Sequence, residues 1–203
     1  FGGASHMSSG VKTFTNKNCA FRNNSAKSGG ALSVLECREI GIIINNTFHS
    51  NKAMDKGGAL FCKNCKMITN INNSFTENNA LIGGSLFLEN LVKYIGHSCL
   101  FQNSFVTNNA GAIYSIGCKF FSEISSKFNK NIAINNGGAL FLEHINFINF
   151  KFCLFSNNSV QKSGGSIFIS HGIFMLDRTV IIQNKAERLG GGIYIDHIQS
   201  CLY

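Results

Sequence analysis

The chain lacks proline and tryptophan altogether, and only 14% of its 203 residues are charged. So few charges exclude a disordered, self-repelling tail, and the length suffices for one domain with a continuous core, residues 1–203. No apolar run approaches the ~20 residues that a membrane-spanning helix needs. A basic block is also missing, because the net charge of +8 comes from Lys and Arg scattered along the chain. That scatter, without any basic-aromatic motif, reads as a solvated surface and not as a nucleic-acid site. Nor is there a signal peptide. The opening "FGGASHM" already lies within a repeat, so the chain is expected to be an internal piece of a longer protein.

What is abundant is glycine, phenylalanine and asparagine: 21 Gly, 19 Phe and 26 Asn. They recur in a fixed order. Residues 155–168 read "FSNNSVQKSGGSIF", 128–141 "FNKNIAINNGGALF", 75–87 "FTENNALIGGSLF", 48–61 "FHSNKAMDKGGALF" and 21–32 "FRNNSAKSGGAL". Gly-Gly pairs begin at Gly2, Gly29, Gly57, Gly83, Gly137, Gly164 and Gly190, with Ala110 in place of the missing one, at intervals of 26 to 28 residues. So regular a period means a solenoid in which each turn is one unit. Helical repeats would show period-3.6 stripes, and leucine-rich repeats their Leu-x-x-Leu-x-Leu core; neither is present. Each Gly-Gly is instead followed by a short alternating β segment, such as "ALFLE", "SIFIS" or "GIYID". The fold class is therefore all-β, a right-handed parallel β-helix with about 27 residues per rung and eight rungs, the last incomplete. At roughly 4.8 Å per rung the rod is about 35–40 Å long.

Aligned rungs sort the residues into columns. Phe21, Phe48, Phe75, Phe101, Phe128 and Phe155, closed by Ile182, form an inward stack. Asn24, Asn51, Asn78, Ser104, Asn131, Asn158 and Asn184 follow as corner residues whose amides reach the rungs above and below. Ala26, Ala53, Ala80, Ala133, Val160 and Ala186 are small where the coil turns tightly. Leu32, Leu60, Leu86, Ile113, Leu140, Ile167 and Ile193 share the core face with Val34, Leu88, Leu142, Ile169 and Ile195.

The "F-x-x-N" and "G-G-A-[I/L/V]" motifs together resemble the paired repeats of the chlamydial polymorphic outer-membrane proteins, with related repeats in surface proteins of some unicellular eukaryotes. The resemblance covers almost the whole chain. It implies an extracellular parallel β-helix of the autotransporter-passenger kind, often used in adhesion, and it brings no catalytic residues. A membrane-barrel segment is not part of this sequence.

Four groups are candidates for a site. Phe61, Phe87, Tyr114, Phe141, Phe168 and Tyr194 alternate with the core aliphatics and so point outward. Either they form an aromatic ladder for sugar rings or a second rod, or a loop covers them, or the pleat is inverted. Cys37 and Cys65 share one coil position in neighbouring rungs, within reach of a disulfide or as free buried thiols. Cys19, Cys99 and Cys153 precede the core Phe by two residues and are expected inside as small hydrophobes. Asn23, Asn45, Asn72 and Asn157 open N-glycosylation sequons, which an Asn-rich chain also produces by chance. His144, His171 and His197 each follow the first Gly of a pair by seven residues. With Glu143 and Asp196 alongside they form either a divalent-metal site or a solvated polar ladder.

β-helices also carry pectin-degrading enzymes, and "SHG" at 170–172 faintly resembles the His-Gly of a polygalacturonase. Those hydrolases need paired carboxylates. Only three Asp are present (Asp55, Asp177 and Asp196), dispersed along the chain, and no acidic cluster sits with a basic residue for a calcium-dependent lyase. The expected function is a structural or adhesive rod without turnover and without a cofactor, at the cell surface or in an extracellular filament. Its partners are further rungs, copies of itself, glycans or neighbouring surface proteins. A carbohydrate-active enzyme of the pectin lyase-like class is the alternative.

Overall fold

The computed structural model describes residues 1–197 and the backbone of residues 200–202. Every element in it is a short strand, and every strand pairing is parallel, between one coil and the next. One coil shows the plan: strands Leu32–Leu35, Ile40–Ile44, Thr47–His49 and Lys52–Lys56, then the Gly57-Gly58 corner into the next coil. Stacking the coils gives four parallel sheets, the first two with eight strands and the last two with seven. The chain is a β-solenoid of about seven turns, with coil-to-coil partners such as Phe48 and Phe75 spaced 27 residues apart.

Four corners per coil require four left-handed residues, and they too form columns. One contains Gly29, Gly57, Gly83, Ala110, Gly137, Gly164 and Gly190, with φ between 62° and 71°. The second of each Gly pair is needed for a different reason. A Cβ on Gly138 would lie 2.1 Å from the Gly165 carbonyl oxygen in the next coil, so glycine backbones stack directly. The other three corners are mostly polar residues that tolerate positive φ: Glu36, Asn64, Asn90, Gly117 and the three histidines; Asn18, Asn45, Asn72, Ser98, Ser125, Phe152 and Arg178; Asn23, Ser50, Glu77, Asn103, Lys130, Asn157 and Gln183.

Inside, the Phe column stacks with centroids 4.6–4.8 Å apart and planes within 6° of parallel. Ring pairs of this kind add about 0.5–1.5 kcal/mol beyond the area they bury. Ile181, and not Ile182, closes the column, because it pairs with Phe155 while Ile182 is exposed. The last full turn is one residue short, which moves Asn184 and its predecessors back one place.

Each ladder Asn ties two coils together. Asn131 Nδ2 donates to the Phe101 carbonyl at 3.0 Å, and its Oδ1 accepts the Ser104 N–H at 3.2 Å. Asn158 repeats this on Phe128 and Asn131, at 3.0 and 2.9 Å. Polar groups that the bend would bury unpaired are thereby satisfied. A second, shorter Asn ladder occupies the preceding corner: Asn46 and Asn73 accept the N–H groups of Cys19 and Asn46 at 2.7 and 2.6 Å. Higher up that column the residues are Cys99, Ser126, Cys153 and Thr179, so the cysteines alternate with polar corner residues. Cys99 and Cys153 are buried as expected, whereas Cys19, near the first coil's edge, is exposed.

Candidate functional site

The aromatic column outside the first sheet is where the alternation puts it, with Leu60, Leu86 and Leu140 turned to the core and Phe61, Phe87 and Phe141 turned away. Yet Phe61, Phe87 and Phe141 are only 5%, 2% and 7% exposed. The Gly-Gly corner folds against them: a Cβ on Gly29 would lie 3.1 Å from the Phe61 Cβ, and one on Gly83 would lie 3.2 Å from that of Tyr114. Lys56 Nζ caps the Phe87 ring at 4.6 Å, and the Tyr114 hydroxyl donates to Glu143 Oε2 at 3.0 Å. From Phe61 through Phe168 to Tyr194 the rings stack with centroids 4.7–5.7 Å apart. Neighbouring rings cover both faces of Phe61, Phe87 and Phe141, whereas Tyr114, Phe168 and Tyr194 stay partly exposed. The expected binding stripe is a second packed column. Ser33 interrupts it in the second coil, and Phe1 folds over the gap to stack on Phe61 at 6.1 Å.

The histidines line up as a column but do not converge. His144 and His171 stack at 4.6 Å between centroids, and His171 and His197 at 5.5 Å. Their Nδ1 and Nε2 atoms turn to separate partners: Glu143 for His144, Ser170 Oγ at 2.8 Å for His171 and Asp196 Oδ1 at 2.6 Å for His197. Among the described residues no three His, Cys, Asp or Glu side chains are grouped to hold a metal. The column is a ladder of corner residues with φ between 51° and 65°, and one rung of separation keeps the rings apart.

Cys37 and Cys65 do occupy neighbouring coils, with the Cys37 N–H 3.4 Å from Cys65 Sγ, but both thiols are free. They point to different carbonyls, Cys37 to Lys12 at 3.4 Å and Cys65 to Lys63 at 3.4 Å. Burial pushes Cys65 up to about 11 and raises Cys37, and it pushes fully buried Cys62 well above its usual value. Burial of this kind keeps a thiol neutral and makes it a poor nucleophile at pH 7.

All four sequon asparagines are exposed at left-handed corners, with φ of 51° to 55°. In each, the next residue is the buried ladder member (Asn24, Asn46, Asn73 or Asn158) or its end-coil equivalent, and the Ser or Thr after it opens a strand. The Asn-Asn-Ser/Thr triplet is thus what the corner itself selects. It also leaves the first amide facing solvent.

Two features were not legible in the motifs. The first is Glu123, fully buried inside the coil. Its Oε1 accepts the Tyr94 hydroxyl at 2.9 Å and its Oε2 the Ser126 hydroxyl at 2.6 Å; Asn70 Nδ2 in turn donates to Tyr94 at 3.2 Å, and Asn73 to Asn70. Gly96 makes room, since a Cβ there would lie 2.1 Å from the carboxylate. Burial pushes Glu123 up to about 7, against the lowering effect of the Ser126 and Tyr94 hydrogen bonds. The signal was the lone Gly inside the strand "KYIGH", one coil before the lone Glu of "KFFSEI".

The second is the outer face of the second sheet. Most of its strands alternate, with Ile43, Ile68, Tyr94, Phe121, Ile148 and Phe174 in the core; Phe120–Ile124 departs from the pattern, because the small Ser122 is buried between its neighbours. The residues between them point out, stay partly exposed and pack against no part of the core: Ile40, Met67, Phe120 and Phe147 along one edge, and Ile44, Ile71 and Ile124 along the other. Ile42, Ile95 and Met175 lie between.

Residues 152–170, which hold Phe155, Asn158 and the Gly164-Gly165 pair, match the repeat of the Chlamydia polymorphic membrane proteins. With the solenoid around it, this stretch is similar to a repeat of the polymorphic membrane proteins, a repeat type that points to surface association. A stretch of 67 residues is 36% identical to a transmembrane domain-containing protein of Dictyostelium discoideum, covering 32% of this chain and 4% of that protein. No solved structure matches.

Proposed function

We propose that the chain is a structural or adhesive segment of an extracellular rod that works without turnover, by presenting long stacked faces to copies of itself or to neighbouring surface proteins. The observation that carries this reading is continuity. The Phe column runs unbroken through six coils, and the Asn ladder beside it is interrupted only by Ser104. Sequence devoted to repeating one corner produces extended surface, at about 4.8 Å per coil. The match to a surface-protein repeat supports the location, and the four exposed sequon amides suit a glycosylated exterior.

The test uses the full protein in its own cells. An antibody to this segment is expected to label intact, unpermeabilised cells; labelling only after permeabilisation would overturn the surface assignment. Incubating the purified chain with polygalacturonate is expected to release no reducing or unsaturated ends, and release above that of a heat-inactivated sample would restore the enzyme reading.

A further inference from the structure

We infer that the outer face of the second sheet packs against the same face of a second copy of this chain, joining two rods side by side. The inference rests on the rod reading above and names its partner. Three observations carry it.

The first is chemistry across the face. Its central column is Thr15, Ile42, Thr69, Ile95, Ser122, Asn149 and Met175, without a charge, while Lys17, Lys93, His97, Lys151 and Asp177 sit only in the two edge columns. A charge-free centre inside a charged rim is how protein interfaces are built, whereas a solvated sheet face would carry charge throughout.

The second is area. Five residues at about 3.3 Å, across seven strands at about 4.8 Å, give a flat footprint of roughly 550 Å² per copy. Two such faces, with side-chain relief added, reach the range of small specific dimers, roughly 1,200 Å² in total.

The third is self-complementarity. A two-fold axis passing between Lys93–His97 and the next strand, Phe120–Ile124, sets the rods antiparallel. It opposes Ile42 to Met175, Met67 to Phe147 and Lys93 to Phe120, and it brings no like charges together. Lys93 already caps the Phe120 ring at 5.1 Å within one copy, so the same contact across the interface is chemically matched. Faces of this kind pack about 10 Å apart, and an isologous contact closes at two copies.

The experiment measures molar mass by light scattering and sedimentation on the intact chain, from about 1 to 100 µM, a range that captures the weak end of specific association. A dimer is expected. The pair Ile95→Glu and Phe120→Glu should weaken it at least about 100-fold, since both residues lie on the two strands beside the two-fold axis. The milder pair Ile95→Thr and Phe120→Thr keeps strand propensity and guards against loss of folding. It should weaken the dimer about tenfold with an unchanged circular dichroism spectrum. A wild-type monomer at the top concentration would overturn the inference, as would variants that fold and dimerise like wild type. Capture of wild-type monomers by neutral phosphatidylcholine vesicles would assign the face to lipid instead. None of these outcomes touches the surface labelling or the activity assay, so a monomer would leave the rod reading standing, and intracellular labelling would leave the dimer standing.

Discussion

Two apolar stripes point away from the core of this solenoid, and they have opposite fates. The ladder on the first sheet lies against the Gly-Gly corner, which with Lys56 over Phe87 leaves Phe61, Phe87 and Phe141 buried and Tyr114, Phe168 and Tyr194 partly exposed. The face of the second sheet, from Ile40 to Met175, lies between two corners that are polar except at Gly117 and Phe152. Strand alternation is the same in both. What differs is the neighbouring corner: a glycine pair lets the backbone lie down against an aromatic ring, whereas the Asn and Ser corners carry their side chains into solvent. Outward therefore does not mean available, and the corner decides which stripe is structure and which is surface.

The sharpest way to break that contrast is to truncate the covered ladder. Replacing Phe87, Phe141 and Phe168 together with Ser should unfold the chain, because truncating the buried Phe87 and Phe141 costs about 3–5 kcal/mol each, the half-buried Phe168 adds to the loss, and a whole domain holds only about 5–15 kcal/mol. Urea denaturation followed by circular dichroism reads this directly. A triple variant with a wild-type midpoint would mean that the ladder is surface after all.

Next in size are the corners. Asn131→Ala removes the amide from a fully buried position, leaving the Ser104 N–H without its acceptor and taking a donor from the Phe101 carbonyl and from Asn158 Oδ1. A loss of about 2–3 kcal/mol in the same urea experiment is expected. Asn131→Ser should recover part of it, as Ser104 already stands in the ladder. Asn64→Ala, at an exposed corner amide, should cost less, since it loses mainly the left-handed preference.

Glu123 gives a third test, inside the coil beneath both stripes. Its folded value, about 7, lies above that of the unfolded chain, so the folded state holds the proton more tightly. This contribution is complete below the unfolded value near 4.5 and is lost as pH rises through about 7. Tyr94, Cys99 and Cys153 face the carboxyl, and burial raises all three, so they stay neutral across this window. The chain should be more stable at pH 5 than at pH 8, by on the order of 1–3 kcal/mol. Glu123→Gln should flatten the dependence while keeping the Tyr94 and Ser126 contacts. A pH dependence unchanged in that variant would assign it to other groups.

How far the sequence could be read follows from where each signal is written. The period, the Phe stack and the Asn-Gly corners are local and repeated, so misreading one rung is corrected by the next; only Ile182, in a shortened turn, was placed wrongly. Side-chain direction was legible from alternation, but the roof over Phe87 was not, because it depends on how the corner packs after the coil closes. The histidines shared a position, as the spacing said, yet a shared position in stacked coils makes a column and not a convergent site. Glu123 and Tyr94 lie in different coils with different neighbours, and no repeat announces their meeting. The second-sheet face was hidden for a related reason: its members, "IGIII", "MITNI" and "FINFK", share a pattern but no identity.

The smallest expected effect is the most informative about the two stripes. Ile95→Thr alters an outward residue that packs against no part of the core, so the urea midpoint of the monomer should stay within about 0.5 kcal/mol of wild type. Thr also keeps the β-branching that suits a pleated surface. Phe87→Thr differs formally in the same way, an outward residue of a parallel strand exchanged for a smaller polar one, yet it removes a ring that the Gly-Gly corner and Lys56 cover. It also leaves the Phe61 and Tyr114 rings without the partner between them. A loss of about 3 kcal/mol or more is expected there. Measured side by side at a concentration low enough to keep the chain monomeric, the two variants separate coverage by the chain itself from direction alone. Equal losses would mean that the second sheet's face is also covered within one copy, and would remove the reason for a second rod to bind it.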